Sequence, residues 1–290
     1  MARPEAGNTL DESLSDSWAH EGYIVVHGIY DRNRLDALRP LCEKILSQWR
    51  VENPEKGEPG GGPDSYVMRH LNHSGYFQES PTGLVEILEA ASARSVLDPV
   101  SEILGEEPLF RCTSLFFNPQ ETSQDGNWHR DSQFRAKDDA DEQAIMQNRA
   151  HPATGVQLQI ALEPSNDVEF VPASHTRWDT PEEYHIRKAD EFANNRSSEM
   201  PGAIRIALEP GDAVAFNPMG LHRGRYHTDK LRRTLMLTYT ATSAPSFDYF
   251  SDQPWFITDG YLDGLSPDAS AFYGAFVDAY KNDWQKVQNS

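Results

Sequence analysis

Before Gly105 the apolar positions recur at helical spacing, and after it they alternate, so the chain predicts helices first and strands second. A short helix beginning near Leu10 stops at Gly22, and a compact strand, YIVVHG, follows at 23–28. A longer helix then runs through LDALRPLCEKILSQW with Asp31 as its N-cap. The stretch ENPEKGEPGGGP at 52–63 carries four Gly and three Pro, which regular elements do not tolerate, and reads as an exposed loop. Residues 82–105 give a further helical pattern ending at Gly105. Beyond it come seven alternating runs, PLFRCTSLFF, NWHRDSQF, GVQLQIAL, VEFVPAS, AIRIAL, DAVAFNP and RTLMLTYTA, separated by Gly, Pro, Asn and Asp. Strands in that number with turns between them predict a sandwich or jelly roll. Two long polar interruptions, 135–152 and 177–202, read as surface insertions or lids, the second with a helix in EEYHIRKADEFANN. The last amphipathic stretch, ASAFYGAFVDAYKNDWQKV, predicts a helix that packs its aromatic stripe on the body.

Composition narrows the function. The chain has 290 residues and a formal charge of −19, which argues against nucleic acid, anionic membranes and acidic protein partners, since each needs a basic face. A small-molecule substrate fits better. Cys42 and Cys112 are too few to form a disulfide framework, the first residues lack the apolar core of a signal peptide, and no window is apolar enough to span a bilayer. These features predict a cytoplasmic protein.

The candidate chemistry starts at NWHRDSQF. In a strand, His129 and Asp131 project to one side with Arg130 turned away, as two adjacent metal ligands do. Ten His among 45 acidic residues also produce such a pair by chance, and His227 with Asp229 is a second one, in a charged stretch that reads as a loop. A two-His, one-carboxylate Fe(II) site needs one more His and keeps positions open for other ligands. His222, bracketed by Gly220 and Gly224 at the end of a loop, is the best third member. On the strand that restarts after it, Arg233, Leu235, Leu237 and Tyr239 share a face, and an Arg opening an otherwise apolar inward face wants a carboxylate partner. Gln157 and Gln159 share one face of GVQLQIAL and could bond a cosubstrate or substrate. Arg223, Arg225 and His227 follow the distal His and are candidates for an anionic substrate group. His70, His73 and His175 read as structural, and the aromatic run from Phe247 to Tyr261 reads as core sooner than as pocket wall.

Taken in order, the early helix, Gly22, strand and helix, then WHRD, IALEP, VPASH, GDAVAFNP, His222 and Arg233, the chain resembles the phytanoyl-CoA dioxygenase family of Fe(II)- and 2-oxoglutarate-dependent oxygenases. The resemblance implies one double-stranded β-helix (jelly-roll, cupin-like) domain over 1–290, mainly β with flanking helices: a helical part at about 10–105, the core at about 108–245 and a C-terminal helix at about 268–287. It implies iron on His129, Asp131 and His222, and 2-oxoglutarate gripped by Arg233, eleven residues after the distal His. It also implies use of O2 to convert 2-oxoglutarate to succinate and CO2 while a substrate C–H bond is oxidised, most simply to an alcohol. Desaturation, cyclisation or epimerisation would use the same cofactors. Departures are PASH where the family has Pro-Gly-Ser-His, and His227 where an Asn often stands. Asp131 disfavours halogenation, since related halogenases carry Gly or Ala there. The competing readings are a non-catalytic ligand-binding jelly roll and a cupin-like metallohydrolase whose Zn²⁺-bound water attacks an ester or amide.

Overall fold

The computed structural model describes residues 13–53, 67–120, 122–150 and 154–288. Two expectations fall partly outside them: the start of the first helix and most of the loop at 52–63. Helix α1 (Leu14–Glu21) is capped by the Ser13 hydroxyl, which accepts from the Asp16 N–H, and it ends at Gly22 with φ 78°. That glycine is required twice over, because a Cβ there would sit 2.3 Å from Nδ1 of His175 as well as in a left-handed backbone. Strand β1 (Tyr23–Val26) leads to α2 (Arg32–Glu52), whose N-cap is Asp31 as expected. After β2 (Val67–Arg69), the stretch read as a single helix at 82–105 is two, α3 (Pro81–Ala91) and α4 (Arg94–Leu104). Ser92 divides them: its hydroxyl donates to the Leu88 carbonyl and helps close the first helix.

Strand β3 (Pro108–Phe117), β4 (Gln124–Asp125), helix α5 (Asp139–Ala150), β5 (Gly155–Ala161) and β6 (Ser165–Phe170) follow. Then come α6 (Pro181–Arg187), α7 (Ala189–Phe192), β7 (Ile204–Leu208), β8 (Ala213–Phe216), β9 (His222–Tyr226), β10 (Arg233–Ala241) and α8 (Pro267–Gln288). The strands form a six-stranded sheet, β1-β8-β5-β10-β3-β2, and a four-stranded sheet, β4-β9-β6-β7, with every pairing antiparallel. This is the expected jelly-roll architecture with flanking helices.

Each face of the larger sheet has its own task. Leu158, Ile160, Ala215, Leu235, Leu237 and Tyr239 join Leu38, Ile45, Leu88, Val100 and Phe276 in the main core beneath the helices. The other face meets the smaller sheet, where Val214 and Phe216 pack on Val168, Phe170 and Ile206. Side chains alternate along each strand, so a shift of one residue decides between the helix layer and the space between the sheets.

The polar insertions are tied down by buried charge as well as lying on the surface. Arg187, at the end of α6, reaches Glu142 of α5 at 2.8 Å and Asp179 at 2.6 Å, all three fully buried. No helix among the described residues is long and apolar enough to cross a membrane.

Candidate metal centre and its cavity

His129, Asp131 and His222 each aim one ligand atom at a common point, and these atoms lie within 4.8 Å of one another. Among the described residues they are the only such group of His, Cys, Asp and Glu. NWHRDSQF is not a strand, however. His129 makes a single antiparallel bridge to His222, with backbone bonds of 3.1 and 3.0 Å in the two directions. Asp131 then opens a 3₁₀ turn to Phe134, because its N–H is taken by the Pro218 carbonyl rather than by a neighbouring strand. His222 is the first residue of β9, so the two histidines face each other with ring centroids 4.3 Å apart.

The orientation of each ligand is fixed from behind. Nδ1 of His129 lies 2.8 Å from the Asn127 carbonyl, and Nδ1 of His222 lies 2.9 Å from the Gly220 carbonyl. A carbonyl only accepts, so both Nδ1 atoms carry the proton and both Nε2 lone pairs are left for a metal. Oδ1 of Asp131 stands 3.7 Å from each Nε2, while Oδ2 accepts a 2.5 Å hydrogen bond from Gln157. Burial, and next the neighbouring His129, push His222 down to about 4, which keeps its imidazole neutral and able to ligate at physiological pH. The donor set, two neutral imidazoles and a carboxylate on one side of a cavity, fits Fe(II) with positions left open.

The cavity, of about 380 Å³, runs between the sheets and is lined in part by Gln157, Gln159, Phe216, Arg232, Met236 and Thr238. Both glutamines therefore face inward as expected, with Gln157 committed to Asp131. The Gln159 side-chain oxygen is buried without a hydrogen-bond partner.

The expectation for Arg233 is corrected. It opens the face of β10 that carries Leu235, Leu237 and Tyr239, but that face packs under the helices, and its guanidinium pairs with Glu43 of α2. Arg232 is the arginine in phase with Met236 and Thr238, and all three line the cavity. Its guanidinium is fully buried, stacked about 5 Å from the Phe116 and Tyr226 ring centroids, and its Nη2 has no partner. A buried, unpartnered guanidinium nitrogen is costly unless an anion or water meets it. The sequence carried a signal for this choice: Thr234 and Thr238 mark the polar face of the strand, and Arg232 shares it.

Arg223, Arg225 and His227 point the other way from His222 along β9. Arg223 reaches Asp125 and Glu169 and stacks 4.7 Å over Trp128, while Arg225 and His227 both bond Asp125 at 2.8 and 3.0 Å. They form a structural network with two carboxylates, Asp125 and Glu169. Arg130, between His129 and Asp131, is fully buried and bonds Asp179, the Ser174 carbonyl and the Met219 carbonyl, a role that no local pattern in the sequence marks.

Comparison with known proteins agrees with this architecture. No curated relative matches the chain by sequence. Among solved structures, the carbocyclase SnoK from nogalamycin biosynthesis has 16% identity and a TM-score of 0.56, with 90% of this chain and 92% of that one covered. EctD from S. alaskensis has 17% identity and a TM-score of 0.56, with 81% and 79% covered. The epimerase SnoN, also from nogalamycin biosynthesis, has 16% identity and a TM-score of 0.53, with 79% and 82% covered. These likenesses are of fold. The profile of the family described as phytanoyl-CoA dioxygenase (PhyH) matches residues 18–234, which is most of the chain and includes His129, Asp131 and His222. The chain belongs to the phytanoyl-CoA dioxygenase family.

Proposed function

We propose that the protein is an Fe(II)- and 2-oxoglutarate-dependent oxygenase that oxidises a C–H bond of a small organic molecule, hydroxylation being the most direct outcome, with release of succinate and CO2. The observation that carries this reading is the convergence of two Nε2 lone pairs and one carboxylate oxygen on a cavity that is also lined by Arg232, whose buried Nη2 has no hydrogen-bond partner although its Nη1 bonds the Arg225 carbonyl and its Nε lies 3.8 Å from Asp167. The solved neighbours support it by what they are called: SnoN and SnoK are both described as non-heme and alpha ketoglutarate dependent, and EctD has been crystallised with 2-oxoglutarate and 5-hydroxyectoine.

Bound iron with its cosubstrate would supply the activation of O2, and the chain supplies position. His129, Asp131 and His222 would hold the metal. Gln157 fixes Asp131 so that only one of its oxygens faces the histidines. Arg232 would take the distal carboxylate of 2-oxoglutarate, and Gln159, one step nearer the metal on the adjoining strand, would bond along its length. Phe116 and Tyr226 flank Arg232 and keep water from its faces, which strengthens its hold on a carboxylate.

Anaerobic titration with Fe(II) and 2-oxoglutarate tests the proposal through the weak visible charge-transfer band of the bidentate complex. Wild type should show the band, His129→Ala and His222→Ala should lose it, and Arg232→Ala should need at least tenfold more 2-oxoglutarate. Wild type that binds Fe(II) but shows no band at any 2-oxoglutarate concentration would return the site to a hydrolase or a non-catalytic binder.

A further inference from the structure

The mouth of the same cavity holds a second cationic site, on the metal side and away from Arg232. Its centre is Arg111. Along β3 the pairing with β10 runs Cys112 to Thr238 and then Phe110 to Tyr239, so Arg111 is the extra residue of a β-bulge. Without the bulge, Arg111 would alternate away from Cys112 toward the helix layer; with it, the guanidinium lines the cavity. Its side chain is 90% buried, given 10% exposure, and its Nε has no hydrogen-bond partner.

Two further arginines, Arg69 from β2 and Arg135 from the turn after Asp131, line the same mouth. The guanidinium groups of Arg69 and Arg111 lie 5.2 and 5.3 Å from the Phe250 ring centroid. One carboxylate pairs with both Arg111 and Arg135. Asp248, on the loop after β10, places Oδ2 against Arg111 and at 2.8 Å from Arg135, while its Oδ1 accepts from the Phe250 N–H at 3.0 Å. Among the described residues that line the cavity Asp131 is the only carboxylate, and Asp248 pairs with Arg111 and Arg135 at its mouth.

We propose that this mouth is a carboxylate subsite for the substrate. Arg111 and Arg135 take the carboxylate, the adjoining apolar part of the molecule lies on Phe250, and Asp248 occupies the place until substrate displaces it. The internal carboxylate is the precedent for the chemistry: one oxygen already bridges two guanidinium groups from separate segments, and a ligand carboxylate could use both its oxygens and meet the unpartnered Nε. The two anion sites are set apart by the register of the strands. Arg232 lies beyond Thr234 at the far end of β10, whereas Arg111 is level with Thr238, opposite Gln157 and the metal ligands. A molecule anchored at Arg111 thus lies beside the metal without competing for Arg232. The inference rests on the oxygenase reading of the cavity, and it names the class of substrate: a small organic acid with an apolar body.

Equilibrium dialysis of radiolabelled benzoate and inorganic phosphate against metal-free protein at fixed ionic strength tests it. Arg232→Gln is the common background, so that the deep guanidinium contributes nothing. Asp248→Asn keeps an oxygen for the Phe250 N–H but removes the competing charge, and it should tighten benzoate binding at least fivefold. Adding Arg135→Gln, at a side chain 37% exposed, should reverse that gain, as should Arg111→Gln. Benzoate bound no more tightly after Asp248→Asn, or binding that survives both arginine substitutions, overturns the subsite. Phosphate bound more tightly than benzoate overturns its assignment to carboxylates. Failure of the oxygenase reading is separately visible, since it removes the Fe(II) and 2-oxoglutarate band and leaves benzoate binding in place.

Discussion

Gln157 holds Asp131 in place: its side-chain amide donates a 2.5 Å hydrogen bond to Oδ2, and the other oxygen of that carboxylate stands 3.7 Å from Nε2 of both His129 and His222. The bond crosses from β5 to the turn that opens at Asp131, so the sheet sets the carboxylate's rotation. A carboxylate free to turn would present either oxygen, or neither, to a metal. Partners that orient metal ligands are worth roughly 10–100-fold in affinity. Gln157→Leu should therefore weaken Co(II) or Fe(II) binding by about that factor with little change in melting temperature, as read by anaerobic titration. Metal affinity equal to wild type would show that Asp131 is positioned by its backbone alone.

Arg232 and Arg233 are neighbours that face opposite layers, and their removal should have opposite signatures. Arg233 pairs with the half-exposed Glu43 but is itself buried, so Arg233→Ala should cost roughly 0.5–3 kcal/mol of stability, largely through lost packing, and leave 2-oxoglutarate affinity unchanged. Arg232→Ala should weaken 2-oxoglutarate at least tenfold. A two-variant calorimetric titration with metal-loaded protein decides, and loss of 2-oxoglutarate binding in Arg233→Ala alone would reinstate the arginine that the motif spacing favours.

That pair also shows where sequence reading ran out. Every residue of β10 is buried, so hydrophobicity could not say which face meets the helices and which meets the cavity. The apolar run of Leu235, Leu237 and Tyr239 looked like an interior face and is one, but the interior it faces is the helix layer. The candidate metal-binding group is more legible, because His-x-Asp and a glycine-bracketed His are short-range patterns, and the caps at Asp31 and Gly22 mark helix ends from local chemistry. The inward turn of Arg111 depends on a bulge against a strand far away in sequence, and no local pattern marks it.

Two histidines should make the metal-free protein sensitive to mild acid. Burial, then His129, push His222 down to about 4, and burial, then Arg69, do the same to His70. An unfolded His titrates near ~6.5, so between these values the unfolded chain binds more protons than the folded one, and stability rises with pH. Their contribution is complete above about pH 6.5 and is lost as pH falls through about 4. The melting temperature of metal-free protein should drop across this window, and less steeply in His70→Gln, which removes one of the two groups. Equal slopes for wild type and variant would mean that His70 is not held neutral by the fold.

Arg130 ties the ligand segment to the insertions, and this link should carry much of the protein's stability as well as its metal affinity. Its Nε and Nη2 bond Oδ1 of Asp179 at 2.9 and 2.8 Å, and Arg187 takes the other oxygen at 2.6 Å, with all three side chains fully buried. Its Nη1 meanwhile spans the Ser174 and Met219 carbonyls at 2.6 Å each, which fixes the loops before α6 and before β9 against the His129–Asp131 backbone. Asp179→Asn would leave the buried Arg130 guanidinium without its ion-pair partner and Arg187 with Glu142 alone, and breaking such a pair costs roughly 3–5 kcal/mol. The melting temperature should fall by on the order of 10 °C. Because the loop that carries His222 into β9 is held by the same arginine, Fe(II) affinity measured well below the new melting temperature should fall as well. A variant that loses stability but keeps wild-type metal affinity would separate the two roles and leave Arg130 as a purely structural anchor.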